Sequence, residues 1–134
     1  MSARKKRIPD TNVIIRYLFR DVPAQYDEAE VFFEAVRTGR QQAIVLESVL
    51  VECLYILDKF YHVPRAAAAD SLAGLLRYKG VIAQDEDCLL EALNLYASGA
   101  LDPVDCLLAA HARKAGIEVF TFDRKLKRLV ETPA

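Results

Sequence analysis

Short runs that read as strands alternate along this chain with longer stretches of helical period. That alternation restricts it to an α/β fold with a mostly parallel sheet. A strand at 4–9 leads into a helix at 11–20, which Asp21, Val22 and Pro23 break. The next helix, 24–38, repeats Ala29, Phe32, Phe33 and Val36 on one face and stops at Gly39. Residues 43–46 read as a buried strand. Ser48 suits the N-cap of a helix reaching 61, and Pro64 the first turn of another reaching 79. Residues 80–83 are a third expected strand. Asp85, Glu86 and Asp87 open a helix to 98, where acids favour the helix dipole. Asp102 and Pro103 open one that Gly116 closes. Residues 117–122 give the clearest strand pattern, and a short helix, 124–129, follows. Pro9 lacks the amide a ladder needs, so it belongs at a strand end or bulge. No linker or repeat interrupts this order, and residues 1–134 read as one domain.

Hydrophobic residues make up 53% and charged residues 28%, which excludes a disordered chain. No apolar run approaches the roughly 20 residues of a membrane span, so no membrane role is expected. The basic start is not followed by an apolar signal core. The three cysteines, Cys53, Cys88 and Cys106, are odd in number and form no Cys-x-x-Cys pair. Buried thiols in a reducing cytoplasm are the expectation.

The net charge of −1 conceals a segregation. Residues 21–102 carry 14 acids and 6 bases, whereas the rest carries 5 acids and 12 bases. Arg4, Lys5, Lys6 and Arg7 form one basic cluster; Arg124, Lys125, Lys127 and Arg128 form another. Each flanks a conspicuous acid, Asp10 or Asp123. Such clusters attract a polyanion, although solvated surface segments look the same.

Four acids stand beside apolar runs: Asp10 before a helix, Glu52 within 49–57, Asp105 ahead of 106–112, and Asp123 directly after 119–122. Each also has a plain reading. Asp10, Asn12 and Asp123 suit helix caps, Asp105 suits a first helical turn, and Glu52 joins Ser48, Tyr55 and Lys59 in a polar stripe. Their joint placement is more informative. In a parallel sheet the carboxyl ends of the strands share one edge, where ligands bind, and all four can reach it. Gathered carboxylates repel one another, and a hard divalent cation, Mg²⁺ or Mn²⁺, relieves that repulsion. His62 and His111 have no companion at ligand spacing and read as ordinary helix residues.

Asp10-Thr11-Asn12-Val13-Ile14-Ile15-Arg16-Tyr17-Leu18, Glu52 within 50–57, Asp105-Cys106-Leu107-Leu108-Ala109-Ala110, and Thr121-Phe122-Asp123-Arg124-Lys125-Leu126 resemble the four motifs of PIN-domain ribonucleases. The resemblance covers about 8–130, and the compact chain is most similar to VapC-type toxins of toxin–antitoxin pairs. It implies a three-layer α/β/α sandwich and metal-dependent hydrolysis of RNA, leaving a 3′-hydroxyl and a 5′-phosphate. It implies that Asp10, Asp105 and Asp123 are metal ligands, with Glu52 completing the catalytic set. Asn12 and Thr121 take the positions of its polar partners. Two departures stand out: Pro9 replaces an aliphatic residue, and Asp102 is an extra acid beside Asp105.

The resemblance also implies a homodimer held inactive by a small antitoxin. A predicted hairpin of helices 48–61 and 64–79, rich in Leu54, Tyr55, Leu57, Phe60, Tyr61, Leu72, Leu75, Leu76 and Tyr78, offers apolar surface for a symmetric partner, unless that surface is core. Two alternatives belong to other classes. An Asp10-dependent phosphohydrolase would place a second Asp where Asn12 stands. A degenerate PIN-like module would bind RNA or protein without catalysis.

Overall fold

The computed structural model describes residues 5–131. Its sheet has three parallel strands, β1 (Lys6–Arg7), β2 (Gln42–Ile44) and β3 (Val81–Ile82), in the order β1-β2-β3. Arg7 pairs with Ala43, and Ala43 with Val81. Seven helices accompany it among the described residues: α1 (Thr11–Leu18), α2 (Pro23–Arg37), α3 (Glu47–Lys59), α4 (Arg65–Leu76), α5 (Glu86–Ser98), α6 (Pro103–Ala115) and α7 (Arg124–Glu131). The expected α/β class with a parallel central sheet is the one the chain adopts.

Packing follows the apolar periodicity. Ala29, Phe32, Phe33 and Val36 of α2 are all buried. Ala43 and Val45 point inward, and one cluster of buried residues runs from Ile14 to Leu126. Burial of this cluster is the main term opposing the loss of chain entropy. Gly80 lies where β3 meets α2 and β2: its amide donates to the Val36 carbonyl at 2.8 Å and its carbonyl accepts from Ala43.

Four expectations need correction. Residues 117–122 form no strand. Val119 and Thr121 take half-buried positions while Ile117, Phe120 and Phe122 face solvent. The alternation is therefore realised only over 118–122, and β1 offers two ladder positions with no strand partner at its outer edge among the described residues. Ser48 does not cap α3: the N-cap is Leu46, with no side-chain hydrogen bond, and Ser48 lies inside the first turn. His62 lies in the turn after α3, with a left-handed φ of 52°, not in a helix. The fourth concerns the α3–α4 hairpin. Leu54, Leu57, Leu72, Leu75 and Leu76 are core, and of the nine residues named above for that hairpin only Phe60 is exposed. The hairpin therefore offers no broad apolar face.

Candidate functional site

Asp10, Asp102 and Asp123 each begin as a solution to a local backbone problem, whereas Asp105 and Glu52 cap nothing among the described residues. A helix start leaves amides without partners. Asp10 Oδ1 accepts the Val13 amide at 3.0 Å and caps α1. Asp102 Oδ1 accepts the Asp105 amide at 2.9 Å and caps α6, which Gly116 closes in the left-handed region. Asp123 Oδ1 accepts from the Lys125 and Leu126 amides at the head of α7. Thr121 Oγ1 in turn accepts the Asp123 amide at 3.0 Å and so braces the turn. In these bonds each cap uses Oδ1, and none occupies the second carboxylate oxygen.

Electrostatics relate the acids to one another. Burial raises the Asp105 carboxyl above the usual aspartate range, and the charges of Asp102 and Asp123 raise it further. Asp10 and Glu52 both act on the buried thiol of Cys53, which burial first, then those two charges, push up to about 12. Burial first, then the charges of Asp102 and Asp105, raises the hydroxyl of Tyr55, one turn beyond Glu52. Two sets of charges thus act on groups of α3: Glu52 and Asp10 on Cys53, and Asp102 and Asp105 on Tyr55. Contacts of α3 with α1 and α6, and of α6 with α7, carry this arrangement.

Beside Asp10 a cavity of about 290 Å³ is lined by Arg7, Asn12, Arg16 and Glu28 among others. The Arg7 guanidinium lies over the Phe32 ring, 4.9 Å from its centroid. Arg16 donates to Gln25 and to the Tyr61 hydroxyl. Tyr55 was expected beside Glu52 in a polar stripe, whereas Arg16 was not singled out as a neighbour of Asp10. Only its helical spacing from Asn12 could have indicated Arg16. His111 pairs with Glu47 at 3.1 Å, an ordinary inter-helix contact. All three cysteines are buried and free, in line with the thiol expectation.

Among the described residues, no three His, Cys, Asp or Glu side chains converge closely enough to hold a metal ion. The donor chemistry nevertheless suits a hard cation, because Asp10, Asp102 and Asp123 each keep a carboxylate oxygen outside their capping bonds. Lys5, Lys6 and Arg7 are exposed at β1, and Arg124, Lys125, Lys127 and Arg128 at α7; Arg4 lies outside the described residues.

A parallel sheet flanked by helices whose starts carry Asp10, Asp102 and Asp123 is compatible with nuclease-type chemistry. The sequence matches the PIN domain family over residues 7–131, and the chain belongs to that family. PIN domains are generally nucleases, bind nucleic acid and typically use divalent metals. No curated protein and no solved structure matches the chain significantly. Among the described residues, no helix is long and apolar enough to cross a membrane.

Proposed function

We propose that the protein is a Mg²⁺- or Mn²⁺-dependent endoribonuclease whose catalytic set is Asp10, Glu52, Asp105 and Asp123. What most supports the reading is the PIN-domain match over residues 7–131; the Asp105 carboxyl, raised first by burial and then by the charges of Asp102 and Asp123, is in keeping with it. Asp10, Asp105 and Asp123 hold the cation, and ligation requires their side chains to draw together. When bound, a divalent cation supplies charge neutralisation at the phosphoryl oxygens and a more acidic water. Glu52 orients the attacking water and takes its proton. Asn12 and Thr121 hold ligands and waters by neutral hydrogen bonds, and Asp102 adds charge beside Asp105. The basic residues of 4–7 and 124–128 hold the RNA backbone.

In the same reading the protein is cytoplasmic, its single domain spans 1–134, and it acts as the homodimeric toxin of a toxin–antitoxin pair. The buried leucines of the α3–α4 hairpin remove one physical argument for the dimer, which now rests on resemblance. Inducing wild type and Asp10→Asn in bacteria and sequencing RNA 5′ ends tests the activity. New 5′-phosphate ends are expected with wild type alone. RNA bound but left uncut by wild type would favour the binding-module alternative. A neighbouring reading frame encoding a small protein that co-purifies and restores growth would support the toxin role. A monomer without such a neighbour would remove it.

A further inference from the structure

Phe120 is 90% exposed and Phe122 95%, with ring centroids 5.7 Å apart and planes at 75°. A lone exposed apolar side chain is commonplace, but two adjacent, nearly bare phenyl rings in contact are not. Val119 and Thr121 alternate with them in half-buried positions, so turning the rings inward would turn that pair outward. Immediately after the rings, α7 exposes Arg124, Lys125, Lys127 and Arg128 around the buried Leu126.

We infer that Phe120 and Phe122 form a stacking platform for unpaired bases of single-stranded RNA, whose phosphates run along the α7 cations. The inference rests on the ribonuclease reading for its ligand and adds a preference for unpaired substrate. Aromatic rings beside a basic groove are the two elements of single-strand recognition, because every base has a face to stack while the cations follow the backbone. The 75° angle between the rings presents two surfaces that a continuous base stack cannot match, which disfavours a duplex. Charge disfavours self-association, since a second copy seated on this patch would bring its own α7 cations against these.

Anisotropy of labelled RNA in EDTA, with the full chain, tests the platform without turnover. Unstructured oligouridine should bind at least about tenfold tighter than an RNA duplex. Phe120→Ala and Phe122→Ala should each weaken oligouridine binding by about five- to 150-fold and leave duplex binding unchanged. The double Phe→Tyr variant keeps both rings and should bind like wild type, which controls for folding. Lys125→Gln should weaken both ligands alike and shallow the salt dependence. Equal affinity for strand and duplex would overturn the platform. So would alanine variants that bind normally, or alanine effects confined to the sedimentation of a dimer. Asp10-dependent cleavage with Phe-independent binding defeats the platform alone; metal-independent cleavage with Phe-dependent binding defeats the catalytic reading alone.

Discussion

Asp10 and Asp123 each use one carboxylate oxygen as a helix cap and keep the other outside those bonds. The two roles separate by substitution, because an asparagine oxygen still accepts the amide but carries no charge. Asp10→Asn and Asp123→Asn should therefore unfold in urea close to wild type. Asp10→Ala and Asp123→Ala should lose about 0.5–2 kcal/mol each. If the Asn variants lost as much as the Ala variants, the charge and not the cap would be holding the helices. The cysteines make a second prediction. Burial raises Cys53 to about 12 and Cys106 to about 11, each against an ordinary 9.0. The unfolded chain therefore ionises these thiols first. Their contribution to stability is complete below pH 9 and is lost as pH rises through the folded values. A thiol reagent at pH 8 should find no reactive cysteine in the native protein and three after denaturation.

At the scale of elements, the junction of α2, β2 and β3 tolerates no side chain at residue 80. A Cβ there would lie 2.1 Å from the Gln41 carbonyl oxygen and 2.8 Å from that of Val36, both backbone atoms. Gly80→Ala should cost at least about 1–3 kcal/mol, the range of overpacked cores, and lower the melting temperature. An unchanged melting temperature would mean that β3 is not held as described. Helices with explicit ends were legible in the sequence. Asp102, Pro103 and Gly116 bound α6 as expected, because cap, proline and left-handed glycine act locally. The fourth strand was misread for the opposite reason. Alternation at 117–122 reports which side chains face inward, but a strand also needs a partner edge, and that depends on distant residues. The α3–α4 hairpin failed similarly: periodicity marks an apolar face without saying whether α5 already covers it. The extensive α4–α5 packing supplies that cover.

For the whole molecule, the sequence marked out acids that the structure places at helix starts and within α3, and basic residues that are exposed at β1 and α7. Whether the acids share an ion was not legible, because ligation depends on side-chain geometry and on the ion itself. The exposed Phe120 and Phe122 escaped notice because an expected strand implied that such rings pack. The central claim is that these carboxylates bind a divalent cation and hydrolyse RNA, and single-turnover cleavage of a labelled RNA by purified protein measures it most directly. Cleavage should appear with Mn²⁺ or Mg²⁺, stop in excess EDTA, and fall by about two orders of magnitude or more in Asp10→Asn, in keeping with loss of metal activation. Undiminished cleavage in EDTA, or by a folded Asp10→Asn protein, would contradict it.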